Sequence, residues 1–300
     1  MITADQVTTI FCVVDEFMIE FNHSILNHLI GNPPKRKPTM SSSEVITIQI
    51  LFQLSGVRCF KWFYINYVQK HLKNEFPKTV SYNRFVELQK TVLFPLAVFA
   101  KTCCLGKCTG ISFIDSTPLR VCKNKRIYNH KVFKGIASVG KSTMGYFYGF
   151  KLHIVINEVG AILDFQITQA NVDDRTPIKK GNLLKKIWGK LYGDKGYVSK
   201  ALAEALFSDG IHFVTGIRKN MKNQVMSLYD KIMLRKRSVI ETINDQLKNI
   251  CMIEHSRHRS FHNFIGNILA GIIAYSFLPK KPAIKFYYFK PNNSNQLLLF

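Results

Sequence analysis

The stretch GISFIDST (residues 110–117) decides how this chain folds. It is a short apolar run that closes on one acid, and it reads as a buried strand ending at Asp115. The stretch LYGDKGY (residues 191–197) repeats the theme: a second strand runs into a glycine turn at Asp194. Between them lie YFYGFKLHIVIN (146–157) and AILDFQITQA (161–170), rich in β-branched and aromatic residues and joined by a turn at Asn157, Glu158 and Gly160. Asp173 and Asp174 open a predicted helix through about Trp188. A helix from Ser199, the strand IHFVTGI (211–217) and the amphipathic helix RSVIETINDQLKNI (237–250), which carries Glu241, complete the series.

Three sequential antiparallel strands followed by alternating helix and strand predict an α/β fold. The expected architecture resembles an RNase H-like mixed sheet, with three antiparallel strands extended by parallel strands and flanked by helices. A helical N-terminal domain is expected before it, over residues 1–100. The first helix is expected to cover 4–29, followed by the loop GNPPKRKPT (31–39). Ser41 and Glu44 have capping-box spacing ahead of VITIQILFQL. A third helix is placed near 59–72, and a fourth, capped by Ser81, is ended by Pro95. These helices read either as a plain bundle or as a helix-turn-helix DNA reader, with Asn83 and Arg84 facing the major groove. The catalytic domain is expected over 101–278, with a basic insertion at 218–237. Residues 279–300 read as a basic, poorly ordered tail.

The formal charge is +23, from 42 basic and 19 acidic residues spread along the 300-residue chain. Hydrophobic residues make up 47% and aromatics 12%, which supports a packed core and argues against a disordered chain. Such a charge is the usual match for a polyanion, and double-stranded DNA is the expected partner. A membrane is not, because no helix sets a Lys/Arg face against an aromatic one. The N-terminus has Asp15 and Glu16 inside its apolar stretch, unlike a signal peptide. The apolar run at 264–278 is shorter than the roughly 20 residues of a membrane span. The seven cysteines form no disulfide framework and read as reduced thiols, so a cytoplasmic, nucleoid-associated setting is expected. Cys103, Cys104 and Cys108 lack the second pair that a zinc site needs.

Two aspartates and one helical glutamate suit a two-metal phosphoryl-transfer site. Two magnesium ions about 4 Å apart serve both ends of an in-line displacement. Hard oxygen ligands suit them. Asp115, Asp194 and Glu241 are the expected catalytic residues and metal ligands, with manganese able to substitute. Arg237, Glu241 and Lys248 fall within about 40° on one face of their helix. Ile240, Ile243, Leu247 and Ile250 form a separate apolar stripe. The plain alternative is a solvated helix with an Arg237–Glu241 ion pair.

These residues resemble a bacterial insertion-sequence transposase of the DDE class. The likeness spans about 81–282 and rests on CTGISFIDSTPLRVC, GKSTMGYFYGFKLH, LYGDKGY, RSVIETINDQLK and NFIGNILAGIIAYSFLPKKP. It implies binding of terminal inverted repeats, cleavage at the element ends and joining to target DNA, as a homodimer or larger assembly. It implies catalytic metal ligation by Asp115, Asp194 and Glu241, and phosphate contacts by Arg237 and Lys248. A neighbouring group carries a tyrosine where this chain has Leu234. Two further readings stay open: a non-catalytic DNA-binding protein, such as an inactive transposase copy, and an RNase H-like nuclease without strand transfer.

GIASVGKS (135–142) matches the P-loop pattern, but no strand leads into it and a strand, not a helix, follows. ATP is therefore not an expected partner. A basic loop with Lys134 and Lys141 touching DNA is expected instead. Asp173 and Asp174 read as helix N-terminal acids rather than extra metal ligands. Asp164 and Glu158 read as exposed hairpin residues. The segment HSRHRSFHNF (255–264) reads as a phosphate-contacting patch.

Overall fold

The computed structural model describes residues 2–25, 38–180, 183–217, 225–254 and 258–284. Residues 26–29 of the expected first helix, loop residues 31–37, residues 181–182 of the helix expected from Asp173, residues 218–224 of the basic insertion, 255–257 of the histidine-rich segment and tail residues 285–300 lie outside the described residues.

The N-terminal part is helical: α1 (Ala4–Ile25), α2 (Ser42–Leu54), α3 (Phe60–Trp62), a π-helical stretch (Phe63–Val68) running into α4 (Gln69–His71), α5 (Tyr82–Thr91) and α6 (Leu93–Thr102). The Ser41–Glu44 capping box forms, with Glu44 accepting from the Ser41 N–H at 2.6 Å and Ser41 Oγ accepting from the Glu44 N–H at 3.1 Å. Pro95 does not end a helix as expected. The chain breaks at Val92, and Pro95 sits in the first turn of α6, where its missing N–H has no partner to lose.

The sheet comprises β1 (Ile111–Cys122), β2 (Ser138–Ser142), β3 (Gly145–Asn157), β4 (Ile162–Gln169), β5 (Gly189–Gly193) and β6 (Ile211–Thr215). β1 pairs antiparallel with β3, and β3 with β4. β5 joins the other edge of β1 in parallel and β6 follows β5 in parallel. This is the expected RNase H-like order. The remaining helices are α7 (Thr176–Lys180), α8 (Lys200–Ser208), α9 (Leu228–Lys236), α10 (Ser238–Asn249) and α11 (Phe261–Ser276).

Three further expectations need correction. β1 does not stop at Asp115. Thr117, Leu119 and Val121 keep alternating into the core and the strand stays paired with β3, so the first part of the basic connector is strand. Ser138–Ser142, inside the P-loop-like match, forms β2, which pairs antiparallel with β3. That segment is one arm of a hairpin, so no helix N-terminus is available there for a phosphate. The helix expected from Asp173 to Trp188 shortens to α7, a single turn and a half.

The sheet is buried on both faces. On one, Phe113, Leu119, Ile154, Phe165 and Tyr192 pack with α10, α11 and the N-terminal helices in one continuous apolar core. On the other, Ile114, Val155, Leu163 and Leu191 meet Leu202 and Leu206 of α8. Helix α11 is apolar nearly all round because α2, α5, α6 and α10 surround it. No helix among the described residues is long and apolar enough to cross a membrane.

Two glycines set the start of the β1–β5 pair. Gly189 has φ +81° and a Cβ there would lie 2.4 Å from the Gly110 carbonyl oxygen. Any side chain would force the strands apart at the point where their register begins. Gly189→Ala is expected to cost roughly 3 kcal/mol, from left-handed strain plus the backbone clash. Urea denaturation measures it, and a loss below about 1 kcal/mol would refute this role for the glycine.

Candidate active site

Register places the two aspartates. In the parallel β1–β5 pair, Phe113 stands opposite Tyr192. Two residues further along each strand come Asp115 and Asp194, and Asp194 keeps an extended backbone (φ −73°, ψ 165°). Side chains two apart share a face, so both carboxylates extend the Phe113–Tyr192 side of the sheet. Helix α10 covers that side by burying Ile240, Ile243 and Leu247. Ile250, expected in the same stripe, is exposed instead, and Asn244 is buried in the helix face over β1.

Helix α10 meets Asp115 through three residues. Asn244 Nδ2 donates to Asp115 Oδ2 at 3.1 Å. The Arg237 guanidinium lies between two carboxylates, with Nη1 3.7 Å from Asp115 Oδ1 and Nη2 donating to Glu241 Oε1 at 3.1 Å. Nη1 is buried without a hydrogen-bond partner. The Asp115 carboxyl is strongly perturbed. Burial pushes it up to about 6, Arg237 pulls it back, and the nearby charges of Glu241 and Asp194 raise it further. The structure therefore brings Asp115, Arg237 and Glu241 together, with Asp194 alongside in register.

Lys248 has other partners. Its Nζ donates to the Pro118 carbonyl at 2.8 Å and pairs with Glu254 at 3.3 Å, which pins α10 along β1. Lys134 and Lys141 are exposed, and Lys141 lies over the Tyr146 ring at 5.7 Å. Asn83 and Arg84 are exposed on α5, where Arg84 pairs with Glu87 at 2.7 Å.

On the opposite face of the sheet lies a polar cluster that sequence reasoning missed. Lys151 Nζ donates to Asp174 Oδ1 and to the Val172 carbonyl, both at 2.9 Å. Asp174 is thus an ion-pair partner rather than a helix N-terminal acid, while Asp173 is held well below the usual carboxylate range by Arg175. His153, fully buried, bonds Thr168 Oγ1 through Nε2 at 2.8 Å, and burial lowers its pKa to about 4. Tyr197 of the LYGDKGY motif is buried, and its hydroxyl is pushed up by that burial and by the charges of Asp174 and Asp115. The available signal was Lys151 and His153 alternating with apolar residues in GFKLHIV. Asp164 and Glu158 are half-buried and engaged with Lys101 and Thr109, not free hairpin residues.

Among the described residues, no three Asp, Glu, His or Cys side chains stand close enough to share an ion, and Arg237 fills the space between Asp115 and Glu241. The donor chemistry nonetheless fits magnesium: Asp115, Asp194 and Glu241 offer only hard oxygens. Burial of Asp115 carries a cost that a cation would offset.

A twisted mixed sheet in this strand order, with acids on adjoining strands and a glutamate on the helix above, defines the RNase H-like class. The family model described as a transposase DDE domain matches residues 105–261, more than half of the chain, which belongs to that family. Among solved structures, the piggyBac transposase in a synaptic complex with hairpin DNA is similar at 12% identity. The match covers 90% of this chain and 74% of that one with a TM-score of 0.49. The Mos1 strand transfer complex matches at 10% identity, 87% and 83% coverage and a TM-score of 0.24. No curated protein matches the chain. The assignment rests on the family match and on the strand order.

Proposed function

We propose that this transposase binds the inverted-repeat ends of its element, cleaves phosphodiester bonds there and joins the freed 3′ end to target DNA, with two magnesium ions held by Asp115, Asp194 and Glu241. The observation that carries the reading is the shared β1–β5 register, which sets Asp115 beside Asp194 beneath the helix bearing Glu241. Bound magnesium would supply Lewis-acid activation of the attacking oxygen and charge neutralisation at the leaving oxygen. The chain's own residues orient and hold charge. Asn244 fixes the Asp115 carboxylate. Glu241, whose side chain is 62% exposed, is accessible to take a proton from the attacking water or hydroxyl. Arg237, with one nitrogen lacking a hydrogen bond, is placed to turn towards a DNA phosphate once its carboxylates have other partners. Joining two element ends calls for a homodimer or larger assembly.

The test is a magnesium-dependent cleavage assay on DNA carrying the element ends, with Asp194→Asn and Glu241→Gln. Both should lose cleavage and keep DNA affinity. Full cleavage by either purified variant would remove that residue from the site. Strand transfer from a pre-cleaved end separates a transposase from a nuclease that only cuts.

The charge of +23 makes binding salt-sensitive. Log affinity against log salt is expected to fall with a slope of about −0.9 for each phosphate neutralised. Lys134→Ala and Lys141→Ala should each flatten that slope by about one. Anisotropy titrations at several salt concentrations check this, and an unchanged slope removes the residue from the DNA contact.

A further inference from the structure

A second site lies away from the acidic residues, where α2, α3 and α5 meet α11. The cavity there measures about 570 Å³. That is inside the ~300–1,000 Å³ range of small-molecule sites. Three features of its lining point to one kind of occupant. Its depth is amide-rich: Gln53, 1% exposed, donates through Nε2 to Asn267 Oδ1 at 2.7 Å, while its own Oε1 is buried with no partner. A buried carbonyl oxygen left so is costly, and a ligand donor that reaches it removes that cost. One wall is aromatic, formed by Phe60 and Tyr82, whose ring centroids are 6.2 Å apart. The rim is cationic: Arg58, Lys61 and Arg259 are exposed, with Lys61 Nζ 5.9 Å from the Tyr82 ring centre.

We infer that this cavity takes one unpaired nucleotide, with its base against the Tyr82 wall and the Gln53 carbonyl and its phosphate at the Arg58–Lys61–Arg259 rim. Each part matches a piece of that ligand. An amide oxygen accepts from the exocyclic amino group of adenine or cytosine. Aromatic faces stack on any base. Arginine and lysine hold phosphate oxygens. Asn83, expected from sequence to face a major groove, also lines this cavity. The nucleotide comes either from an unpaired position in a DNA strand or from free nucleotide, and the inference does not rest on the acidic site.

The experiment uses the full chain without divalent ions. Affinity is measured for a duplex carrying a single bulged adenosine and for the same duplex with an abasic bulge. Calorimetry with deoxyadenosine monophosphate runs in parallel. The expected result is a preference of about tenfold or more for the base-bearing duplex. Gln53→Leu should weaken that preference several-fold and leave affinity for the abasic duplex unchanged. If Gln53→Leu does not fold, 2-aminopurine in the bulge gives the second readout with the native chain: its emission should be quenched on binding and recover in Tyr82→Leu. Equal affinity for the two duplexes, with monophosphate binding that is lost in Lys61→Ala, supports the cavity with free nucleotide as its source. Equal affinities with no monophosphate binding and no quenching overturn the inference. Asp115→Asn should keep the preference, so a failure here and a failure of the metal site are told apart.

Discussion

Asp115→Asn is expected to abolish strand cleavage, by at least about a thousandfold, while the metal-free protein melts at a higher temperature than the native chain. The activity loss follows from the proposed role of Asp115: a carboxylate that would hold the metal contributes charge stabilisation worth several kcal/mol. The stability gain follows from linkage. The Asp115 carboxyl is raised from 3.8 to about 6 in the folded chain, first by burial. Its folded form therefore binds the proton more tightly than the unfolded form does. Stability is highest below the unfolded pKa and falls as pH rises from about 4 to about 6. Above that, the folded chain holds a desolvated charge. The asparagine carries no charge to desolvate and still accepts from Asn244. The side chain is 21% exposed, so solvent screens part of the effect. A gain of about 1–3 kcal/mol at neutral pH is expected, and none at pH 4. Thermal melts at both pH values, with and without magnesium, check it. Magnesium should stabilise the native chain and not the variant. A variant that melts lower at pH 7, or that still cleaves, contradicts this account of Asp115.

Asp230→Ala is expected to cost about 2–4 kcal/mol and to lower cleavage with it. Asp230, 7% exposed on α9, accepts from Lys190 Nζ at 2.7 Å and from the Tyr192 hydroxyl at 2.8 Å, and its Oδ2 accepts from Ser227 Oγ at 2.7 Å. Lys190 and Tyr192 belong to β5, the strand that leads to Asp194. Helix α9 leads directly through Arg237 into α10 and Glu241. One carboxylate therefore ties the strand of one acid to the helix of another. Removing it strands the Tyr192 hydroxyl and a partly buried ammonium, which is the costly way to break a buried pair. Lys190 keeps 35% side-chain exposure, which holds the cost below the upper end for fully buried pairs. Burial alone would raise the Asp230 pKa, but the bonds from Lys190, Ser227 and Tyr192 outweigh it and bring it down to about 2. The sign is opposite to that of Asp115. This contribution is present above about pH 4 and is lost as pH falls towards 2. Tyr192→Phe removes one bond and should cost only about 1 kcal/mol. Urea midpoints at pH 7 and pH 3 check both. A loss below 1 kcal/mol for Asp230→Ala at pH 7 would refute the tie.

Much of the chain's organisation was legible in local pattern. The β3–β4 hairpin announced itself through apolar runs and a glycine turn. Helix α10 did so through its period, and α2 through its capping box. These features are set by neighbours in sequence, so short-range rules reach them. The misreadings share a different cause. Pro118 and the charged residues near it made the second half of β1 look like a connector, yet pairing with β3 along its length keeps it a strand. GIASVGKS lacked the alternation of a strand, but the open edge of β3 supplied its backbone partners. Helix α7 was read as far longer than it is, because Leu183, Leu184 and Ile187 look like a continued helical stripe in sequence, whereas in the fold they are buried in the core on the α8 side of the sheet.

The candidate site divides the same way. Asp115, Asp194 and Glu241 stood out singly, each by its own local context. Asn244, Lys151 and Asp174 did not, because their roles depend on residues distant along the chain: Asp115 for Asn244, and each other for Lys151 and Asp174. From sequence alone come the fold class, the strong positive charge and the three candidate acids, because periodicity, composition and turn chemistry are properties of adjacent residues. Only the folded chain decides that two strands share a register, that Arg237 sits between Asp115 and Glu241, and that burial raises Asp115, because desolvation and charge proximity exist only once distant segments are packed together.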